Sequence, residues 1–145
     1  AIIPNRQIRD AFEIAYANHH FDFSMIGVPA QIAAYEHGDA YTDELNAYLW
    51  DNIMYLKHFL EEKMPEVRMV KPNATYLMWL DFHGWDMDSD QVDGFFRSAG
   101  VALNKGSIYG AAGDGFMRLN VACSRSVLEE AMEAVYERYK EFFNK

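Results

Sequence analysis

The sequence predicts a two-layer α/β (α+β) fold, a small sheet with helices on one face. Three observations predict it. From Thr42 to Lys63 apolar residues recur every three or four positions, the period of an amphipathic helix. At Glu66 the pattern switches to β-branched and aromatic runs, which suit a pleated, half-buried surface. Helix signals then return twice, near Asp88 and near Ser124, with strand-like segments between them.

Taken in order, Pro4 and the run Arg6 to Tyr16 read as a first helix, with Ile8, Phe12 and Ala15 on one side. Asn18 to Gly27 breaks that period, carries His19 and His20 and ends in glycine, so it reads as a loop. Val28 to His37 reads as a second helix stopped at Gly38, a residue that tolerates a left-handed cap. The long third helix, Thr42 to Lys63, lines up Leu45, Leu49, Ile53, Leu56 and Leu60, and Pro65 ends it. Val67 to Val70 and Thr75 to Phe82 read as strands joined by a turn at Pro72–Asn73. Asp88 followed three residues later by Gln91 is a capping-box signature, opening a short helix to Ser98. Gly100 ends it, and Val101 to Leu103 reads as a short strand. Four glycines between Gly106 and Gly115 mark a loop, Phe116 to Ala122 a further strand, and Ser124 to Phe143 the closing helix. The second half can bury a core of its own. The first half, helices with nothing to pack on, cannot.

The totals exclude several function classes. Of 145 residues, half are apolar and 15% aromatic, which is globular composition. A net charge of −9 repels nucleic acid and anionic membrane, so neither is an expected partner. No apolar run approaches the ~20 residues of a membrane span, and no signal-peptide pattern opens the chain. A single cysteine, Cys123, fits a reducing, cytoplasmic setting. Ala1 followed by Ile2–Ile3–Pro4 reads as mid-chain sequence, so the chain is expected to be a piece of a longer protein.

Metal chemistry has little support. The five histidines show no paired helical spacing, and one cysteine makes a structural zinc site a poor fit. The adjacent His19 and His20 point different ways and read as solvated loop residues. Ser107 follows a glycine but lacks the nucleophile-elbow pattern, because Tyr109 stands where glycine is needed. The glycine-rich stretch is either a plain connection or a loop whose backbone passes close to a ligand. Arg118 lies mid-strand between Met117 and Leu119, where arginine needs a carboxylate or phosphate to grip. A salt bridge to one of the 22 acidic residues would satisfy it equally.

Three stretches carry a family resemblance: AAYEHGDAYTDELNAYL (Ala33 to Leu49), KPNATYLMWLDF (Lys71 to Phe82) and VALNKGSIYGAAGDGFMRLNVACSRSVLEEAM (Val101 to Met132). In order and spacing they resemble the class I/II aminotransferases that use pyridoxal 5'-phosphate (PLP), in the branch of cystathionine β-lyases and related C–S lyases. The resemblance implies the C-terminal portion of a homodimeric fold-type I enzyme acting on amino acids, as a C–S β-lyase or an aminotransferase. Residues 1–38 would be the helical end of the large PLP-binding domain. Residues 39–66 would be the linking helix, and 67–145 a small α/β domain with a mixed sheet.

The resemblance also implies what is missing. The lysine that holds PLP as a Schiff base, the catalytic group, would lie upstream, as would the other cofactor contacts. None of the six serines has the lysine three residues on that marks the family's anchor, and none of the six lysines suits a desolvated amine. The fragment alone is therefore expected to be inactive, and a missing N-terminal large domain is its expected partner. Arg118, in FMRLN, matches the arginine that grips the substrate α-carboxylate. Ala74, Ser107 and Tyr109 would line the cleft, and the Asn18 to Gly27 loop would lie near the dimer interface. Ala74 stands where the family usually has glycine, Ser124 where proline is common, and Tyr109 where phenylalanine is usual. The competing reading is a stand-alone, non-catalytic binding or interaction module.

Overall fold

In a computed structural model, residues 2–19 and 24–143 are described. The chain divides into two compact units, Ala1–Asp43 and Glu44–Lys145.

The first unit carries α1 (Arg6–His19) and α2 (Gly27–His37), and α3 (Asp39–Lys63) begins in it. Neither α1 nor α2 contains a buried residue. Ile8 and Ile14 are 61% and 67% exposed, so the described residues of α1 and α2 hold no core of their own, as the sequence implied. Gly38 serves another purpose than the expected left-handed cap: its φ is −86°. A Cβ there would collide with the Ala34 carbonyl oxygen, so the residue is needed for close approach and not for handedness. The expected loop from Asn18 is helical up to His19, and its His20–Phe23 part lies outside the described residues.

The second unit has a real core. Its strands are β1 (Arg68–Met69), β2 (Leu77–Asp81), β3 (Asn104–Lys105) and β4 (Phe116–Asn120), and its helices beyond α3 are α4 (Ser89–Ser98) and α5 (Arg125–Phe143). The sheet order is β1-β2-β4-β3 and every pair is antiparallel. The expected mixed sheet is thus corrected. β2 and β3 do run the same way, as a connection through α4 permits, but β4 inserts between them and no parallel pair forms.

Alternation along the strands sorts the two faces. Met78 and Leu80 of β2 and Met117 and Leu119 of β4 are buried, while Leu77, Trp79, Phe116 and Arg118 are half-buried on the other face. The buried face meets Leu56, Phe59 and Leu60 of α3, Val92 and Phe96 of α4, and Leu128, Met132 and Val135 of α5. Fully burying a side chain such as Leu56, which has no exposed surface, is worth about 2 kcal/mol. α3 therefore does more than link: its second half is part of the core.

The capping box is present as the sequence indicated. Asp88 accepts from the backbone N–H of Asp90 and Gln91, both at 2.9 Å, and Gln91 accepts from Asp88 N–H at 3.0 Å. The strand expected at Val101–Leu103 is corrected to Asn104–Lys105. Val101 and Leu103 pack partly buried against the core edge, and the ladder forms only where the chain comes level with β4. No helix among the described residues is long and apolar enough to cross a membrane.

Candidate active site

Arg118 sits on the sheet face that no helix of the second unit's core covers. Cross-strand register places it opposite Trp79 on β2 and opposite Asn104 on β3. Arg118 Nη2 donates to Asn104 Oδ1 at 2.7 Å. The guanidinium carbon stands 5.1 Å from the centroid of the Tyr109 ring, within cation–π range. Tyr109 in turn meets Trp79 edge-on at 5.8 Å, and Trp79 stacks on Phe116 at 5.6 Å. No carboxylate among the described residues lies within ion-pair distance of Arg118, so the internal salt-bridge reading does not hold within them. A half-buried fork of donors is left with one neutral partner and free N–H groups facing away from the core.

The glycine-rich loop builds the wall beside it. Two short 3₁₀ turns, Gly106–Tyr109 and Ala111–Gly113, replace the open connection that the composition suggested. The two turns pass back to back: a Cβ on Gly106 would strike the Gly113 carbonyl, and one on Gly113 the Gly106 carbonyl. Ser107 and Tyr109 are exposed on the first turn, and Tyr109 joins Arg118. Ala74 does not. It lies in the bend before β2 and lines a separate groove of about 390 Å³ with Leu49, Trp50 and Tyr76. In this bend the positive φ belongs to its neighbour Thr75, at 66°. Asn104 and Trp79 were missed in the sequence; only their alignment with Arg118 across strands reveals them.

A second polar cluster lies at the C-terminal end of β2. His83 Nδ1 is 2.6 Å from Asp81 Oδ1, and the His83 backbone N–H donates to the same oxygen at 3.0 Å. Burial pushes the Asp81 carboxyl up, but these donors and the nearby Arg68 outweigh it and hold the group below the usual carboxylate range. Asp114, which accepts from Ser89 N–H, is likewise lowered by its bonds to Ser89. No group of three metal-ligating side chains occurs among the described residues.

No protein-family profile matches the chain. Cystathionine β-lyase PatB of Bacillus subtilis is 35% identical over 136 residues, which cover 92% of this chain and 35% of PatB. Protein MalY of Escherichia coli is 35% identical over 134 residues, covering 90% of this chain and 34% of MalY. Cystathionine β-lyases are thus among this chain's homologues. Among solved structures, cystalysin from Treponema denticola, which contains a pyridoxal 5'-phosphate cofactor, superposes with a TM-score of 0.87. It is 30% identical, and the match covers 97% of this chain and 36% of cystalysin. The chain thus spans about a third of the length of these relatives, and its fold matches the C-terminal portion of fold-type I PLP enzymes.

Among the described residues no lysine is a desolvated, unpaired amine. Lys57, Lys105 and Lys140 are ion-paired to Glu61, Asp90 and Glu137 at 2.6–2.8 Å, and Lys63 lies near Glu62. Donating to the carboxylates of Asp90 and Glu137 holds the Lys105 and Lys140 ammonium groups above their ordinary range, the opposite of what a nucleophilic amine needs. Lys71 is exposed, and Lys145 lies outside the described residues. What the chain does carry on the Arg118 face is a guanidinium fork, a polar neighbour and an aromatic wall.

Proposed function

We propose that this chain is the C-terminal part of a PLP-dependent enzyme that acts on amino acids, a C–S β-lyase of the cystathionine β-lyase kind. The observation that carries the reading is Arg118: a half-buried guanidinium without a carboxylate partner among the described residues, aimed off a sheet in a chain whose homologues are such lyases. PLP, held by residues outside this chain, would supply the electron sink for chemistry at the substrate α-carbon. The chain's own part is to bind and orient. Two parallel charge-assisted bonds from Arg118 to the α-carboxylate would fix which bond at the α-carbon faces the cofactor.

The exposed apolar residues of α1, among them Ile8, Phe12 and Ile14, support a large domain packed on the first unit, with the division of the chain at about residues 38 and 66. Ser107 and Tyr109 are proposed to border the substrate mouth. Ala74 belongs to the cleft only if the groove it lines faces the rest of the enzyme. The whole enzyme is proposed to be a cytoplasmic homodimer, as the family resemblance implies. A transaminase would begin from the same carboxylate-anchored complex, so Arg118 serves either outcome.

The test is Arg118→Ala and Arg118→Lys in the full-length enzyme, assayed on amino acids and on their decarboxylated amine analogues. Truncating one partner of a desolvated charge pair costs roughly 2–5 kcal/mol, or about 30- to 5000-fold in kcat/KM. The alanine variant should lose most of the preference for acids. Lysine should restore only part of it, because one ammonium does not copy a two-pronged fork. Full discrimination in Arg118→Ala would overturn the assignment and make Arg118 a structural residue.

A further inference from the structure

We propose that Asn104 is a positioning residue that sets the Arg118 fork for an incoming carboxylate; the inference rests on the substrate-binding reading of Arg118. Asn104 and Arg118 are direct cross-strand partners in the β3–β4 pair, so their side chains stand on the same face of the sheet. Arginine has only donors, so it is the amide oxygen of Asn104 that meets it, at 2.7 Å from Nη2. Tyr109 meets the group in another way, through the ring at 5.1 Å. A planar guanidinium bonded at one nitrogen and covered by a ring has little rotational freedom left. Its remaining donors point one way before any ligand arrives, and that ordering is not spent again on binding.

The partner's neutrality is the informative part. Arg97 and Arg138 are each held by a carboxylate, Asp93 at 2.8 Å and Glu141 at 2.9 Å. A carboxylate in the place of Asn104 would hold Arg118 more firmly still, but it would occupy the fork and cancel its charge. An amide holds the group and leaves the charge for a ligand. Arg125 also bonds an amide, Asn52, but that amide's own donors go to the carbonyls of Val121 and Cys123. Asn104 makes no second side-chain hydrogen bond among the described residues, so orienting Arg118 is its one polar task there.

A positioning role and a merely structural role predict opposite results for one substitution. Asn104→Asp should leave the melting temperature of the 145-residue chain at or above that of the unaltered chain, since an exposed ion pair replaces a hydrogen bond. In the full-length enzyme the same change should lower the preference for an S-alkyl-cysteine over its decarboxylated amine by about 30-fold or more. Asn104→Ala should lower it about fivefold, the worth of one ordinary hydrogen bond. KM for the acid should rise more than kcat falls, and kinetics on the amine should stay unchanged. If Asn104→Asp keeps the full acid preference while Arg118→Ala loses it, Asn104 is structural only and the inference fails alone. If Arg118→Ala also keeps the preference, the substrate-binding reading fails and this inference with it. Equal losses on acid and amine in the Asn104 variants would likewise overturn it.

Discussion

Asn52 of α3 is a buried polar residue of the second unit with three side-chain hydrogen bonds. Its side chain has no exposed surface. Nδ2 donates to the carbonyls of Val121 at 2.9 Å and Cys123 at 3.1 Å, and Oδ1 accepts from Arg125 Nε at 3.0 Å. Val121 and Cys123 lie just past the end of β4, where ladder partners run out, so the amide does the work of a missing strand. Asn52→Ala orphans both carbonyls. At about 1–2 kcal/mol for each lost buried bond, with the void added, the cost should be roughly 3–4 kcal/mol. For a unit of this size that is about 12–30 °C in melting temperature. Asn52→Asp should be worse still, since it turns donors into lone pairs facing two carbonyls. Thermal and urea denaturation of the 145-residue chain, followed by circular dichroism, measure both. A loss below about 1 kcal/mol for Asn52→Ala would refute the reasoning, because Val121 and Cys123 would then be satisfied elsewhere.

Two further perturbations have definite signs. Asp88→Ala removes both N–H contacts of the α4 capping box and should cost about 1 kcal/mol in the same denaturation assay, while Asp88→Asn or Asp88→Ser keeps most of it. Asp81 is held below the usual carboxylate range, so its contribution is present above the unfolded-state value of about 3.9 and is lost as pH falls through the lower folded value. Melting curves taken from about pH 6 down to about pH 3 should show a shallower acid-side decline in Asp81→Asn than in the unaltered chain; parallel curves would contradict the assignment.

Legibility in the sequence followed the range of the interaction. Helical period, the Asp88–Gln91 box and the alternation around Met117–Arg118–Leu119 are local, and each found its element. Arg118 stood out because a charge among apolar strand neighbours breaks a local rule. The strand at Asn104–Lys105 was not legible, because its pairing is decided by β4 and not by its own β-propensity. Val101 to Leu103 had the propensity and lacked the partner. Asn52 was hidden for a similar reason: a polar residue inside an amphipathic helix reads as solvent-facing until the segment it bonds, 69 to 73 residues away, is folded onto it. The antiparallel order was beyond local reading too, since nothing in β2 or β3 announces that a later strand comes between them.

That insertion bears on how the unit is born. β4 is the last strand among the described residues yet an inner one in the sheet, between β2 and β3. On a ribosome, β1 and β2 can form a hairpin and α4 can coil, but β3 has no neighbour until residue 120 has emerged. Until then Met78 and Leu80 lack the buried companions that β4 and α5 supply. A chain stalled or cut before Phe116 therefore presents an open sheet edge and a bare apolar face, features that invite aggregation and chaperone capture. The strand that bears Arg118 is also the one that closes the sheet, so chains that have not finished folding do not assemble the Asn104–Arg118 pair.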